Sequence, residues 1–254
     1  MYVSGLNKEC VYCFYENNAL VTDTRGKVLL GRHPYGKKGV ETVCPATFIR
    51  EEYDWEGDEC PKLSYDECIG YCMHVRGFTM HASSGVKNKG TFLGIAEKIP
   101  YLKELGVTTL ELQPAYEFDE AEGEKINYWG YTKGLYYTPK SGYATKDGVR
   151  EFKDMIKALH KEGLEVIMQF YFTEETSKRE MIDILSYWIS EYHVDGFHLK
   201  GFSVDAQMLM KEPVLMDTKL WYYSFPIQYL LDNVNATCNG FSKKRLAAYT
   251  DDFL

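Results

Sequence analysis

The sequence predicts an α/β fold built on a parallel sheet and preceded by a small β-rich segment. From Gly70 onward, short apolar runs alternate with helical stripes, as in consecutive parallel βαβ units. The run Glu165–Phe172 is almost continuously apolar, which is typical of a strand buried on both faces. Residues 1–65 differ, because β-like runs such as Val11–Tyr15 and Lys27–Leu30 lie between turn residues. We therefore expect two domains, 1–65 and 66–254.

The α/β part contains about five strand–helix units. Its strands are predicted near residues 71–76, 108–112, 165–172, 194–199 and 219–224, mutually parallel and adjacent in that order. Its helices are predicted over Thr91–Leu105, over Val149–His160, and from a capping box at Ser177 to about Tyr192. Periodicity alone fits either a doubly wound sheet or the first part of an eight-stranded barrel. No glycine-rich phosphate fingerprint follows a strand, which argues against nucleotide binding.

Charge and composition exclude several classes of partner. The net charge is −8, and no basic run is present, so we expect no nucleic-acid partner. No apolar stretch approaches the roughly 20 residues that span a bilayer, so we expect no membrane partner. The first residues lack the pattern of a signal peptide.

The seven cysteines favour free thiols in a cytoplasmic protein. Cys10 and Cys13 have the spacing of half a zinc site, but no second ligand pair follows at zinc spacing. We therefore expect these two cysteines to be structural, and we expect no metal and no cofactor.

Several motifs resemble the debranching branch of the alpha-amylase superfamily, which includes isoamylases, pullulanases and glycogen debranching enzymes. The order and linker lengths of the motifs agree with that family as well. The motifs are His74–Thr79, Gly90–Val107, Glu111–Phe118, Asn127–Tyr131, Arg150–Lys153, Ala158–Gly163 and Tyr192–Phe197. The resemblance implies a TIM-type (β/α)8 barrel, incomplete in this chain, with its site at the C-terminal ends of the strands. It also implies an α-glucan, such as starch or glycogen, as the ligand.

The same resemblance implies a retaining mechanism, which needs a carboxylate nucleophile and a carboxylic acid about 5 Å apart. Where the family carries two aspartates and a glutamate, this chain carries Gln169, Lys200 and Tyr223. His198 replaces the family's arginine. An ammonium cannot form the covalent glycosyl ester, and a phenol with an ordinary pKa of about 10 is a poor acid at neutral pH. We therefore expect no catalytic residues and no hydrolysis.

Five residues are candidates for ligand binding, and each could instead have a structural role: Trp129, Tyr131, Glu174, His198 and Lys200. The resemblance gives Tyr131 the role of a sugar-stacking platform, and Trp129 lies beside it, but either ring could instead pack in the protein. His198 and Lys200 stand at site positions, where Lys200 could bind an anionic sugar or form a salt bridge with Glu174.

Other polar residues in these motifs are interpreted as structural. His74 and Arg76 are expected to form a loop-shaping pair, and His160 and His193 belong to helix ends. By the family comparison, Asp195, Glu111 and Glu117 are scaffold or loop carboxylates.

Three hypotheses about function remain open. The chain is a degenerate amylase-type protein that retains glucan binding, an active hydrolase that uses Glu174, Glu175 or Asp205, or an interaction module. The segment Tyr249–Leu254 resembles the region after the family's fifth strand. Because an open sheet would expose apolar surface, we expect downstream sequence or a partner to complete the barrel.

Overall fold

The computed structural model describes residues 5, 7, 9–32, 35–36, 43–49, 52–122, 125–201, 204–225 and 245–248. Their strands are β1 Val11–Tyr12, β2 Phe14–Glu16, β3 Ala19–Val21, β4 Val28–Leu29, β5 Ala46–Thr47, β6 Gly70–Met73, β7 Thr109–Leu112, β8 Tyr116–Phe118, β9 Ala121–Glu122, β10 Lys125–Ile126, β11 Gly134–Pro139, β12 Glu165–Phe172, β13 Gly196–Gly201, β14 Lys219–Tyr222 and β15 Leu246–Ala248. Their α-helices are α1 Val75–Met80, α2 Phe92–Glu97, α3 Ile99–Glu104, α4 Gly148–Lys161, α5 Lys178–Tyr192 and α6 Ala206–Lys211.

The chain divides into two compact units. The first contains residues 1–57, 75–97 and 115–155, and the second contains 58–74, 98–114 and 156–254. Both units are therefore assembled from separate stretches of sequence. The boundary at residues 65 and 66 remains a prediction from the sequence.

The second unit is built on a parallel sheet of six strands. Their order is β15-β14-β13-β12-β7-β6, and every neighbouring pair is parallel. The predicted order of the first five strands is confirmed, and β15 extends the sheet by one strand. The segment 249–254, which was expected to follow the fifth strand, lies outside the described residues, as does Cys238.

The two faces of this sheet differ in chemistry, because successive side chains of a strand point to opposite faces. One side, the apolar face, carries residues that are at most 1% exposed: Leu110, Leu112, Val166, Met168, Phe170, Phe197, Leu199 and Leu220. Helix α5 packs on this side, where the rings of Phe170 and Trp188 lie 5.7 Å apart. The other side, the polar face, carries Thr109, Glu111, Glu165, Gln169, His198, Lys200 and Lys219.

The predicted helix over Thr91–Leu105 is wrong in one respect, because the structure forms two short helices there. Helix α2 ends at Glu97, and α3 begins at Ile99. Pro100 occupies the first turn of α3, where its missing N–H costs nothing. In a continuous helix the same residue would remove a hydrogen bond and clash with the preceding turn.

The other predicted helix ends agree with the structure. The Ser177 hydroxyl caps α5 by accepting a hydrogen bond from the backbone N–H of Glu180 at 3.2 Å. His193 ends the same helix in a left-handed conformation with φ of 52°. Helix α4 ends just before Gly163, which has φ of 75°. Within the described part of the chain, no helix is long and apolar enough to cross a membrane.

The first unit is built from short antiparallel pairs. Strands β1, β5 and β4 form one small sheet, and β2 pairs with β3. Strand β8 pairs with β11, and β9 pairs with β10. Its core includes Phe92, whose ring lies edge-on to the ring of Phe152 at 5.1 Å. This arrangement agrees with the β-like runs that the sequence predicts in the first 65 residues.

Gly196 lies at the start of β13, where the sheet leaves no room for a side chain. A Cβ atom at this position would approach the carbonyl oxygen of Lys219 to 2.6 Å and the Cδ1 atom of Ile167 to 2.5 Å. We therefore expect Gly196→Ala to lower the free energy of unfolding by about 1–3 kcal/mol, as overpacked cores do. Gly148→Ala is the matched control, since its Cβ would meet no atom closer than 3.7 Å. Urea titrations followed by circular dichroism measure both changes, and equal midpoints would contradict the packing described here.

Candidate functional site

Glu111 is the centre of a polar cluster on the polar face of the sheet. Its Oε1 atom accepts hydrogen bonds from Nδ1 of His198 at 2.5 Å and from Nε2 of Gln169 at 2.7 Å. The three residues are 2–4% exposed, and they come from the neighbouring strands β7, β12 and β13. Gln169 and His198 are partners in the register of β12 and β13, which explains how both reach one carboxylate.

The surroundings of Glu111 keep its carboxylate ionised. Burial by itself would raise the pKa of Glu111. The hydrogen bond and charge of His198, the hydrogen bond of Gln169 and the charge of Lys200 outweigh burial, so the pKa is lowered. Because an ionised carboxylate only accepts hydrogen bonds, Nδ1 of His198 must carry a proton. Glu111 is therefore a fixed acceptor and is unsuited to donate a proton at neutral pH.

Lys200 and Tyr223 lie near the C-terminal ends of their strands, but in different surroundings. Lys200 is half-buried on β13, where alternation places it on the same face as His198. Tyr223 follows the last residue of β14, and 65% of its surface is exposed. Its ring lies 4.6 Å from the ring of Tyr222. The structure thus brings Gln169, His198 and Lys200 to one carboxylate, whereas Tyr223 lies at the exposed end of the next strand.

The remaining sequence-predicted residues are spread over both units. Trp129 and Tyr131 belong to the first unit, where Trp129 is 51% exposed and Tyr131 is half-buried. The ring of Trp129 lies edge-on to the ring of Tyr128 at 5.1 Å. Glu174 belongs to the second unit and lies in an exposed turn after β12. The binding roles of these residues remain predictions.

His74 and Arg76 fall into different units. His74 is buried in the second unit directly after β6. In the first unit, the guanidinium of Arg76 stacks over the ring of Tyr35 at 4.7 Å. The side chain of Tyr35 also donates a hydrogen bond to the carbonyl of Tyr128 at 3.3 Å. Arg76 therefore takes part in the packing of the loop that carries Trp129 and Tyr131.

Two other buried carboxylates are paired with lysines. In the second unit, Glu165 at the start of β12 pairs with Lys219 and accepts a hydrogen bond from the backbone N–H of Leu63 at 2.7 Å. In the first unit, Glu117 accepts from the ammonium of Lys140 at 2.6 Å, and both side chains are at most 1% exposed. Each pair satisfies a buried charge that would otherwise be costly. Neither carboxylate is available to act as an acid or a nucleophile.

The polar face carries side chains that differ from the carboxylate pair of a retaining glycosidase. Retaining hydrolysis needs one carboxylate for attack and one protonated carboxyl group, about 5 Å apart across the bond. At the C-terminal ends of the described strands, Glu111 is held by His198 and Gln169, and Lys200 is a cation. The available groups are an ammonium, an imidazole and an amide, which can bind hydroxyl or anionic groups.

Comparison with known proteins agrees with this architecture. Residues 76–173 match the family model described as the catalytic domain of alpha amylase. The chain is 30% identical over 250 residues to isoamylase 1, a chloroplastic protein of Arabidopsis thaliana, and the match covers 72% of this chain and 32% of that protein.

The chain belongs to the alpha-amylase superfamily. Its relatives include isoamylases and glycogen debranching enzymes, but the chain spans only about a third of the length of the curated relatives it matches.

Solved structures show the same fold. The pullulanase from Bacillus acidopullulyticus matches with a TM-score of 0.69 at 19% identity, covering 95% of this chain and 38% of that chain. The pullulanase of Anoxybacillus sp. LM18-11, complexed with maltotetraose, matches with a TM-score of 0.65 at 22% identity, covering 96% of this chain and 44% of that chain. The parallel sheet is therefore part of an amylase-type (β/α) barrel, as the sequence predicts.

Sequence reasoning treated Glu111 as a scaffold carboxylate and missed its position at the centre of the polar cluster. A signal was present in β7, where Thr109 and Glu111 alternate with Leu110 and Leu112. Such alternation places the two polar residues together on the face opposite the apolar core. In the neighbouring strand β12, the alternation of polar and apolar residues is hard to see, because Gln169 is a single amide in an almost continuously apolar run.

The lowered pKa of Glu111 predicts a loss of stability in acid. A group with a depressed folded pKa stabilises the protein above its unfolded value of 4.5, and this contribution disappears as the pH falls through the folded pKa. In that window the free energy of unfolding should decline by up to about 1.4 kcal/mol per pH unit because of this one proton.

Urea titrations between pH 3 and pH 6 measure this decline, with Glu111→Gln as the comparison. The substituted chain should be less stable at pH 6 and should show a shallower dependence on pH below 4.5. Parallel stability curves for the two chains would contradict the assignment.

Proposed function

We propose that this chain binds α-glucan oligosaccharides and does not hydrolyse them. The superfamily supplies the ligand class, since several solved pullulanases with this fold are described as complexes with maltose or longer maltooligosaccharides. The proposal concerns the activity of this chain, which spans part of its relatives' length. A cytoplasmic location is likewise a proposal, and it rests on the cysteines alone.

The arrangement around Glu111 carries the proposal that hydrolysis is absent. The hydrogen bonds of His198 and Gln169 and the charges of His198 and Lys200 keep this buried carboxylate ionised, so it cannot serve as the proton donor that glycosidic cleavage needs. Lys200 stands where the family's nucleophile is expected, and an ammonium cannot attack the anomeric carbon to form a glycosyl ester. The loss therefore affects both halves of the mechanism.

The exposed aromatic surface supports the binding half of the proposal. Trp129 lies in the Asn127–Tyr131 motif with half of its surface exposed. Flat aromatic faces pack well against the apolar faces of sugar rings, and an indole that is already exposed needs no rearrangement to do so. Tyr131 belongs to the same motif.

The positions of Glu174, Glu175 and Asp205 give little support to the hypothesis of an active hydrolase that uses other carboxylates. Glu174 and Glu175 lie in an exposed turn after β12, outside the buried cluster around Glu111. Asp205 caps α6 by accepting from the N–H of Met208 at 3.0 Å, and it also pairs with Lys178 at 2.5 Å. A titration of the chain with maltoheptaose distinguishes glucan binding from the interaction-module hypothesis.

We expect the purified chain to release no reducing sugar from pullulan, glycogen or maltoheptaose. Loss of a general acid alone costs about 10²–10⁴-fold in rate, and the nucleophile is replaced as well. Reducing-sugar assays measure the result, and Glu174→Gln serves as the control. Turnover that is present in the unmodified chain and lost in Glu174→Gln would establish the alternative hydrolase.

We also expect maltoheptaose to bind saturably and Trp129→Ala to weaken that binding. An aromatic contact of about 0.5–1.5 kcal/mol corresponds to a loss of about 2–12-fold in affinity. Isothermal titration calorimetry measures both constants. Tyr101→Ala is the matched control, because Tyr101 is a similarly exposed ring, at 42%, on the unrelated helix α3. Equal losses in the two variants, or no saturable heat in the unmodified chain, would reject this binding site.

A further inference from the structure

A second polar cluster lies in the second unit, at the end of the sheet where the strands begin. Cys60 precedes the first strand of the sheet, His160 is in the last turn of α4, and Asp195 directly precedes β13. One ligand atom from each of the three lies within 4.8 Å of the other two. The proposed glucan site uses none of these residues.

His160 is oriented by a carboxylate on its far side. Its Nδ1 atom lies 3.0 Å from the carboxylate of Asp58, and its Nε2 atom lies 2.9 Å from Oδ2 of Asp195. Asp58 also contacts a second histidine, since Nδ1 of His193 lies 2.8 Å from Oδ2 of Asp58. In metal-bound histidines, one ring nitrogen usually binds the metal and the other donates its N–H to a carboxylate. Asp58 is placed to be that carboxylate for His160.

Asp195 provides the independent observation. Its residue is 8% exposed, and its Oδ2 atom accepts from His160 and from the backbone N–H of Val166 at 2.7 Å. Its buried Oδ1 atom has no hydrogen-bond partner among the described residues. A buried carboxylate oxygen without a donor is costly, and it has the chemistry of a vacant ligand.

We propose that Cys60, His160 and Asp195 supply three protein ligands of a zinc site, with Asp58 as the residue that orients His160 and solvent in the fourth position. One thiolate, one imidazole and one carboxylate are ligand types that zinc accepts together. A softer metal would favour more sulfur, whereas calcium and magnesium would favour oxygen alone.

The adjustment needed to receive the ion is small. Zinc–ligand bonds of 2.0–2.3 Å in tetrahedral geometry separate nitrogen and oxygen ligands by about 3.3 Å, and sulfur from either by about 3.6 Å. With Oδ2 of Asp195 as the ligand, its 2.9 Å contact with Nε2 of His160 must widen by about 0.4 Å, and Oδ1 is the second oxygen of the same carboxylate. Cys60 is only partly buried, and its thiol must approach by at most about 1.2 Å.

The ion would replace protons that the cluster now holds. Burial, with the charges of Asp195 and Asp58, raises the pKa of the Cys60 thiol to about 12, so the thiol stays protonated without a cation. Zinc binding would displace the proton of this thiol and the proton between His160 and Asp195, and both would be released to the solvent. The resulting link would join the segment before β6 to the end of α4 and to the start of β13, on the side of a barrel where residues serve stability.

The competing account is a cationic imidazole held between two carboxylates, with no metal. Burial would lower the pKa of His160, but the hydrogen bonds and charges of Asp195 and Asp58 raise it. In that account the Cys60 thiol hydrogen-bonds the carbonyl of His193 at 3.9 Å, and Oδ1 of Asp195 keeps no partner of hydrogen-bond geometry among the described residues. The same account predicts that replacing Cys60 has no effect on metal affinity.

The test is a zinc titration of the metal-free chain in competition with a chromophoric chelator. We expect one zinc ion per chain, and Cys10→Ser should bind it unchanged because Cys10 and Cys13 lie outside this cluster. Asp58→Asn should weaken zinc binding by about 10–100-fold, as outer-shell substitutions do. Cys60→Ser should weaken it further, since it removes a ligand.

Cobalt provides a second readout, which is spectroscopic and can be recorded on the unmodified chain. A cobalt-loaded unmodified chain should show a thiolate-to-metal charge-transfer band that is absent from Cys60→Ser, whereas the control Cys68→Ser should retain it. Far-ultraviolet circular dichroism verifies that each variant is folded. The absence of stoichiometric zinc, or zinc and cobalt binding that Cys60→Ser leaves unchanged, would overturn the proposal.

Discussion

The buried carboxylate of Glu111 imposes the main constraint on the polar face of the sheet. A carboxylate that is 4% exposed is unfavourable unless hydrogen bonds and opposite charge replace the water it has lost. His198 and Gln169 supply the hydrogen bonds, and Lys200 supplies part of the charge. The four residues come from three neighbouring parallel strands, so the satisfaction of one charge also depends on the register of the sheet.

This constraint connects the stability of the sheet to the proposed absence of hydrolysis. In a retaining glycosidase, the carboxylates at the C-terminal ends of the strands must stay available for substrate. In this chain Lys200, His198 and Gln169 surround Glu111 and keep it ionised. Each of these donors or cations lowers the cost of burying Glu111 and makes it less available for chemistry.

At the N-terminal ends of the same strands, buried carboxylates connect distant parts of the chain. There Glu165 is paired with Lys219, and Asp195 lies between His160 and the backbone of Val166. These contacts connect the segment before the first strand to residues far along the chain, since Leu63 also donates its N–H to Glu165. In barrel proteins, residues at the N-terminal ends of the strands generally serve stability, and those at the C-terminal ends serve function. The two clusters of this chain agree with that division of roles.

The sequence by itself determined the order of strands and helices, the parallel sheet and the superfamily, because hydrophobic periodicity and local motifs are properties of short segments. It also predicts that Gln169, Lys200 and Tyr223 replace the family's carboxylates, and this remains a prediction. Only the tertiary structure decided that Glu111 joins Gln169 and His198, since this contact depends on the register of strands separated by more than 50 residues. The grouping of Asp58, Cys60, His160 and Asp195 was likewise invisible, because the chain must fold before residues 102 positions apart can meet.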